Sequence, residues 1–461
     1  MESLTEETGT LRRRVLSPTI VLLAGFGATI LLGTSLLMLP VMVDEGRISL
    51  INALFTATSA VCVTGLVVVD TGTYFSPVGQ WTILLLIQIG ALGIFTFSTF
   101  FVLILRGDTS LRGRMLIQET MTHFPYRNLF RLVRNILLFT FVTEAIGAIL
   151  LWLCFREYFS QTRSGYVAIF HSISAFCNAG FSILPSGLED FSAHVPINLI
   201  VMSLIIVGGL GFTVLTDVVA ILLPHKTKFR RLSLHSRVVL MSTIALIAGG
   251  AVLFWLFELN NPAFAGRPIS QQILVSFFQS VTARTAGFNT ISIAGVTNAT
   301  LFLLIFLMFV GASPGSVGGG IKTTTFSIYL IMVISYLRGK QHVEIFGRTI
   351  PARIISKAVA TTAMAFALIV GSTILLLVFE SGNGGNFSHL FFIDWLFEVV
   401  SAFGTVGLST GVTSYLSPGS KLVIIATMFI GRLGPLGLAL SLLGRELEQR
   451  YKYPEENVMI G

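Results

Sequence analysis

The chain has 461 residues, of which 53% are hydrophobic and only 11% are charged. An average soluble domain has about 25% charged residues, so this chain cannot cover itself with polar surface in water, and we exclude a soluble protein. The net charge of +8 would suit a nucleic-acid partner, but the positions of the basic residues, described below, explain it by membrane topology instead.

Eight apolar segments follow one another along the chain, each long enough to cross hydrocarbon, which takes about 20 residues. The segments form four consecutive pairs, and between the two members of each pair lies a shorter, moderately apolar segment that is too short to cross the membrane. The sequence therefore predicts an all-α, polytopic membrane protein with eight full transmembrane helices, the sixth interrupted. The predicted spans are 16–40, 78–105, 129–153, 195–222, 236–258, 299–337, 355–379 and 418–443, and the short segments are 49–61, 165–176, 270–283 and 390–403.

Each short segment ends in a copy of one Gly-centred motif, here called a Gly loop. The copies are SAVCVTGL at 59–66, SAFCNAGF at 174–181, VTARTAGF at 281–288 and SAFGTVGL at 401–408. Irregular backbone at membrane depth is tolerated only where protein or a water-filled cavity surrounds it, so the loops should face one another around one axis, as in an ion selectivity filter. The predicted pore repeats are 16–116, 117–230, 231–345 and 346–444, between cytoplasmic ends at 1–15 and at 445–461, the latter a dimer or partner contact.

A potassium ion that enters such a pore loses its hydration, which a ring of backbone carbonyls replaces. Glycine lets the backbone turn its carbonyls inward without a Cβ penalty. We expect K⁺ to be held by the carbonyls of Val63, Asn178, Thr285 and Thr405. Because the residues before the glycines differ between the four loops, we also expect weaker discrimination than in a symmetric filter. The predicted filter residues are Cys62, Val63, Thr64, Gly65, Cys177, Asn178, Ala179, Gly180, Thr285, Ala286, Gly287, Thr405, Val406 and Gly407.

The basic residues indicate the orientation, because cytoplasmic segments carry an excess of Lys and Arg. With a cytoplasmic N-terminus, 22 of the 30 fall on the inner side. The outer side has Arg47, Arg156, Arg163, Arg267 and Lys421, and the membrane segments have Arg284, Lys322 and Arg432. Both termini are therefore predicted in the cytoplasm of a multi-pass inner-membrane protein, with the Gly loops entering from outside.

The sixth span contains a Gly-rich stretch that cannot continue a helix, because glycine is flexible and proline lacks an N–H. It does not match a phosphate-binding loop, since Ile321 separates the last glycine from Lys322. We expect a gate just below the filter at 311–322, with Arg432 facing the pore or else pairing with a helix-end carboxylate. The predicted gate residues are Gly311, Ser313, Pro314, Gly315, Gly318, Gly319, Gly320, Lys322 and Arg432.

Other polar residues at membrane depth have structural interpretations. Arg284 should fix the filter through backbone carbonyls or an acidic partner, and Glu144 should be a hydrogen-bonded carboxylate, with a proton or ion site as the alternative. His171 should be a packing histidine. The small-residue stretches at 89–93 and 207–211 indicate close packing within continuous helices.

The four Gly loops, the broken sixth span and the ending YPEENVMIG at 453–461 resemble the KtrB family, the membrane subunits of bacterial Ktr potassium-uptake systems in the Trk/Ktr/HKT superfamily. The resemblance covers nearly the whole chain. It implies potassium translocation by a homodimer under the control of a cytosolic KtrA-like ring that binds the nucleotide, so that this chain binds none itself. Sodium-preferring plant members are similar but have serine at the first filter position, where this chain has Gly65.

The sequence bears on two other classes of function. A coupled Na⁺/K⁺ or H⁺/K⁺ symporter on the same scaffold stays open, although repeats in one orientation argue against the inverted halves typical of such transporters. A membrane enzyme is excluded, because the sequence has no intramembrane carboxylate pair, Ser/His arrangement or metal-ligand cluster, and its three cysteines match no metal spacing.

Overall fold

The computed structural model describes residues 18–105, 129–222, 232–381 and 391–435, which are predominantly helical. A small antiparallel hairpin of β1 (Glu344–Ile345) and β2 (Arg348–Thr349) separates two of the helices. The main helices are α1 (Pro18–Leu37), α2 (Leu50–Val61), α3 (Pro77–Leu105), α4 (Leu129–Phe155), α5 (Gln161–Phe176), α6 (Val195–Leu210), α7 (Phe212–Leu222), α8 (Leu234–Glu258), α9 (Ile269–Thr282), α10 (Asn298–Phe309), α11 (Thr323–Leu337), α12 (Ala352–Ser381), α13 (Phe392–Gly404) and α14 (Pro418–Leu433). Short helical turns lie at Pro40–Met42, Thr71–Tyr74, Glu189–Phe191, Pro262–Ala265, Ile293–Gly295 and Val412–Tyr415.

Several of these helices are apolar enough for a membrane. Within the described residues, three have the length and composition to cross one, namely Val133–Phe155, Leu234–Glu258 and Ala352–Ser381. A fourth span results if the bent pair Val195–Leu210 and Phe212–Ile221 counts as one. Shorter apolar helices cover Leu22–Leu37, Leu50–Val61, Pro77–Gly93, Asn298–Phe309 and Thr323–Leu337. These helices support a multi-pass membrane protein, and the number of eight full spans stays a prediction.

The short helices α2, α5, α9 and α13 form the centre of the packing. Most of their residues are buried, and each packs against the long helix that precedes it in the chain. Each also contacts a further helix from elsewhere in the chain, in the pairs α3 with α5, α6 with α9, α10 with α13, and α14 with α2. The last pair brings together a helix near the C-terminal end of the described chain and one near its N-terminal end, and Lys421 Nζ donates to Asn52 Oδ1 at 3.0 Å.

Two buried carboxylates connect the end of a long helix to the N-cap of the helix that follows the next Gly loop. Glu258, the last residue of α8, is fully buried and accepts hydrogen bonds from Thr297 N at 2.9 Å and Thr297 Oγ1 at 3.0 Å. Thr297 is the N-cap of α10. Glu380 near the end of α12 likewise accepts from the backbone N of Ser417, the N-cap of α14, at 2.9 Å. These bonds fix the chain on both sides of the third and fourth Gly loops.

Replacing Glu258 by alanine should therefore lower the thermal unfolding midpoint by several degrees. The substitution leaves the partly buried N–H of Thr297 without its acceptor, which costs about 1–3 kcal/mol when such a group is shielded from water. The midpoint can be measured on the purified chain in detergent. Glu157→Ala is the matched control, because that carboxylate is exposed two residues beyond the end of α4. Equal effects of the two substitutions would contradict this role for Glu258.

The helix breaks agree only partly with the sequence predictions. As predicted, the sixth segment is broken between the end of α10 at Phe309 and the start of α11 at Thr323, and Val310 pairs with Ile321 across the break. The stretch at 89–93 lies within the continuous helix α3. The prediction of a continuous helix through 207–211 is wrong, because α6 and α7 meet at an angle of 106° at Gly211, whose φ is +86°.

Candidate functional site

The four Gly loops follow the same backbone path after their short helices. A non-glycine residue takes a positive φ two positions before each glycine, at Val63 (56°), Asn178 (56°), Thr285 (73°) and Thr405 (49°). The glycines also have positive φ, at Gly65 (90°), Gly180 (68°), Gly287 (78°) and Gly407 (93°). Left-handed conformations at non-glycine residues cost about 1–3 kcal/mol and concentrate at functional sites. The repetition of this strained conformation at equivalent positions marks the loops as the candidate site.

The glycines of the four loops contact one another in a closed ring. A Cβ placed on Gly65 would collide with the carbonyl oxygen of Ala179, and one on Gly180 would lie 2.7 Å from that of Ala286. In the same way, a Cβ on Gly287 meets the carbonyl of Val406, and a Cβ on Gly407 meets that of Thr64, which returns to the first loop. Backbone carbonyls therefore alternate with glycines around the ring, and the glycines have no room for a side chain.

Hydroxyl groups at the ends of the short helices brace each loop. Ser59 Oγ accepts from Gly65 N at 3.1 Å, and Ser401 Oγ accepts from Gly407 N at 3.1 Å. In the other two loops the hydroxyl donates to the carbonyl that follows the glycine, from Ser174 to Phe181 at 2.8 Å and from Thr282 to Phe288 at 2.7 Å. The loop backbone is thus held by its own helix.

A second set of polar side chains lies one helical turn earlier, three residues before each of these hydroxyls. His171 Nε2 lies 2.9 Å from Ser182 Oγ and its Nδ1 lies 2.8 Å from Val167 O, so it is a packed, hydrogen-bonded histidine, as predicted. Glu398 occupies the equivalent position in α13, fully buried, and accepts from Ser409 Oγ at 2.9 Å and from Thr413 Oγ1. Sequence reasoning missed Glu398, although its fixed spacing before the hydroxyl was a usable signal.

The 311–322 loop lies directly against two of the Gly loops. Gly319 N donates to Thr405 Oγ1 at 3.1 Å, and a Cβ on Gly318 would collide with Thr285 Oγ1. The loop is also attached to the bend between α6 and α7. Ser313 N donates to Gly209 O at 3.1 Å, and Phe212 N donates to Gly315 O at 3.0 Å. At the start of α11, Thr323 Oγ1 donates to Ser313 Oγ at 3.2 Å, which joins the two ends of the loop.

Two cations, the buried Arg432 and the partly buried Lys322, hold this loop. Arg432, 4% exposed, donates from Nη1 to the carbonyl oxygen of Val317 and from Nη2 to that of Gly90 in α3 at 2.9 Å. Lys322 Nζ donates to Gly318 O at 2.6 Å. Within the described residues Arg432 contacts carbonyls and no helix-end carboxylate. The predicted gate residues are therefore brought together in one place against the Gly loops.

The remaining charged residues differ in how they are satisfied. Gln88 Nε2 donates to both carboxylate oxygens of Glu144, at 3.0 and 3.1 Å, and Cys177 Sγ lies 3.7 Å from one of them. Arg284 does not have the expected contacts. Its Nη2 donates to Thr243 Oγ1 at 3.4 Å, and no carboxylate among the described residues forms an ion pair with it.

Comparison with known proteins agrees with this architecture. Residues 4–449 match the TrkH family of cation transport proteins. The chain is 39% identical over 446 residues to the Ktr system potassium uptake protein B of Bacillus subtilis, covering 96% of this chain and 97% of that protein. It is also 39% identical over 452 residues to the potassium/sodium uptake protein NtpJ of Enterococcus hirae, covering 97% and 98%. The crystal structure of the potassium transporter TrkH from Vibrio parahaemolyticus matches with a TM-score of 0.73 at 18% identity, over 94% of this chain and 86% of that one.

The chain belongs to the TrkH family of cation transport proteins. It is a multi-pass membrane transport protein and not an enzyme, and its predominantly helical fold is that of TrkH.

Proposed function

We propose that the chain is the potassium-translocating pore subunit of an uptake system. In this proposal the four Gly loops stand in pseudo-fourfold symmetry around one axis within a single chain, and their carbonyls replace the hydration shell of K⁺. The observation that carries it is the closed ring in which each glycine faces a backbone carbonyl of another loop. The short helices also direct their C-terminal ends, which carry partial negative charge, at the same point, and this favours a cation.

The ion-binding carbonyls proposed here are those of Val63, Asn178, Thr285 and Thr405, with the neighbouring residues of each loop forming the rest of the filter. Their shared positive φ supports this assignment. The side-chain amide of Asn178 also lies 3.3 Å from Thr285 Oγ1, so the second and third loops contact each other through side chains, whereas the first loop has Val63 and the fourth has Thr405 at this position. This asymmetry supports a moderate preference for K⁺ over Na⁺.

The 311–322 loop is the proposed gate. It contacts Thr405 and the Gly loops, and Arg432 and Lys322 hold its carbonyls. Positive charges at this place oppose the passage of K⁺ and also fasten the loop across the path. Opening then requires the loop to leave these two side chains, and translocation through the open pore is passive, down the electrochemical gradient.

The proposed assembly is a homodimer in the bacterial inner membrane with both termini in the cytoplasm. A cytosolic nucleotide-binding ring would act on the inner ends of the helices and on the 311–322 loop. The excess of basic residues on the predicted inner side supports this orientation. The name of the Bacillus subtilis relative, a subunit of a Ktr system, supports a partner of this kind.

Uptake in a bacterium that lacks its own potassium transporters tests the function. Cells that express the chain with its cytosolic partner should grow at low K⁺ and accumulate ⁸⁶Rb⁺, and cells that express neither should not. Expression at the membrane without any K⁺ or Rb⁺ uptake would overturn the proposal.

A coupled symporter is the second candidate, and the relative named as a potassium/sodium uptake protein favours it. Uptake measurements in the same cells distinguish a coupled symporter from a passive pore. K⁺ uptake that requires Na⁺ or a proton gradient in a fixed ratio indicates coupling, whereas uptake that follows the K⁺ gradient alone indicates a pore.

Replacing Arg432 by glutamine should raise K⁺ flux about tenfold or more. Hydrogen bonds to a charged group are worth about 1.5–3 kcal/mol, and about 1.4 kcal/mol corresponds to a factor of ten. Flux is measured as ⁸⁶Rb⁺ uptake into liposomes that contain the purified chain. Arg47→Gln, at an exposed arginine outside the helices, is the control and should leave the flux unchanged. A folded Arg432→Gln protein with the original flux would argue against the role of Arg432 in the gate.

A further inference from the structure

Arg284 is a buried cation without a counter-charge in the described part of the chain. Its side chain is only 7% exposed and its Nε has no hydrogen-bond partner. Its hydrogen bond to Thr243 Oγ1 is long, at 3.4 Å. A guanidinium has five N–H donors and no acceptor, and a charge at membrane depth normally has a partner or faces a polar cavity. The position therefore calls for a negative or strongly accepting group.

A small cavity lies beside this guanidinium, behind the third Gly loop. It is enclosed by α6, by α8 and by the end of α9. The space is sufficient for one particle of the size of a water molecule or a monatomic ion. Besides Arg284, the lining residues are Ile205, Ile206, Gly209, Thr243, Ile247 and Val281.

We propose that a monatomic anion, chloride under physiological conditions, binds in this cavity as the counter-ion of Arg284. The lining side chains offer donors and apolar surface: the guanidinium, the hydroxyl of Thr243, and the isoleucine and valine side chains. The positive charge of Arg284, which has no ion-pair partner among the described residues, repels a cation. Phosphate, carboxylates and lipid headgroups are too large for the space.

The site contacts both the filter and the gate regions. Arg284 directly precedes Thr285, whose backbone is in the left-handed conformation. Gly209, in the cavity wall, accepts the hydrogen bond of Ser313 from the 311–322 loop at 3.1 Å. A bound anion would neutralise a positive charge that otherwise repels K⁺ at the third loop. This effect on the ion rests on the proposed function, whereas the anion site itself does not.

The stability of the purified full chain tests the site. The thermal unfolding midpoint is measured in detergent at fixed K⁺ concentration and ionic strength while gluconate is exchanged for chloride or bromide. A ligand that binds only the folded state raises the midpoint, so we expect a rise that saturates with either halide. Arg284→Gln should abolish the rise, and Thr243→Val should increase the half-saturating halide concentration several-fold. Arg47→Gln, the matched control, should behave as the original chain.

Three outcomes would overturn the site. The first is an equal unfolding midpoint of the original chain in gluconate and in chloride, which indicates that the cavity holds water alone. The others are a halide-dependent rise of the midpoint in Arg284→Gln equal to that of the original chain, or a loss of this rise in Arg47→Gln equal to the loss in Arg284→Gln. If Arg284→Gln does not fold, crystals of the original chain grown in bromide test the anion site. An anomalous diffraction peak is expected beside Arg284, and its absence would contradict the proposal. Since neither measurement depends on transport, a chain that carried no K⁺ would overturn the proposed function and leave this test intact.

Discussion

Replacing Gly65 by serine should reduce the ratio of K⁺ to Na⁺ uptake about tenfold or more. A Cβ at this position would collide with the carbonyl oxygen of Ala179 and lie 3.1 Å from the Cα of Gly180, and the φ of +90° is one that serine rarely adopts. Left-handed strain alone costs about 1–3 kcal/mol, and about 1.4 kcal/mol changes an equilibrium tenfold. The first loop must therefore move, which spoils the carbonyl ring. Competition of Na⁺ with ⁸⁶Rb⁺ uptake in cells measures the ratio.

A control separates crowding from backbone strain. Gly46 also has a positive φ, +78°, but a Cβ there meets nothing within 4 Å. Gly46→Ser should therefore leave the ratio unchanged while introducing similar strain. An unchanged ratio in Gly65→Ser, or an equal loss in both variants, would contradict the assignment of Gly65 to the filter.

Deleting residues 315–318 should raise K⁺ flux through the purified chain by about tenfold or more. The deletion removes the carbonyls of Val317 and Gly318, which accept from Arg432 and Lys322. Charged hydrogen bonds of about 1.5–3 kcal/mol each then no longer hold the loop closed. Efflux of ⁸⁶Rb⁺ from liposomes without any cytosolic partner measures the change.

The control for this deletion removes the same number of residues elsewhere. Residues 345–348 form the turn of the β1–β2 hairpin, and among the described residues this hairpin forms no hydrogen bond with Arg432 or with the Gly loops. Their deletion should leave the flux of the purified chain as it was. If the 315–318 deletion yields a folded protein that conducts no faster than the original, the loop is not the gate.

The short helices and the break in the sixth segment follow directly from the sequence. The segment predicted at 49–61 is the helix Leu50–Val61, and that predicted at 270–283 is Ile269–Thr282. Such agreement is expected where a short apolar stretch ends in a glycine motif and begins at a residue that starts a helix, Ser49 in the first case and Pro268 in the second. The dense glycines of 311–320 likewise leave no alternative to a broken helix.

The bend at Gly211 could not be predicted in this way. A run of small residues in an apolar helix has the same appearance whether it packs closely or breaks. Here the break depends on a distant segment, because Phe212 N donates to Gly315 O at 3.0 Å and a Cβ on Gly211 would lie 2.5 Å from Pro314 O. The hydrogen-bond partners of Glu398 and the lack of an ion-pair partner for Arg284 among the described residues also depend on the tertiary arrangement. The local sequence does not predict such contacts.

The contact between α14 and α2 also bears on how the protein is made. Lys421 and Asn52, which join the two helices, are 369 residues apart in the chain. During synthesis from the N-terminus, the first short helix is finished early, and the helix that covers it emerges nearly last. A chain that ends before α14 therefore already contains all four Gly loops but lacks the helix that packs against α2, and the apolar surface of α2 that α14 covers stays open until synthesis is almost complete.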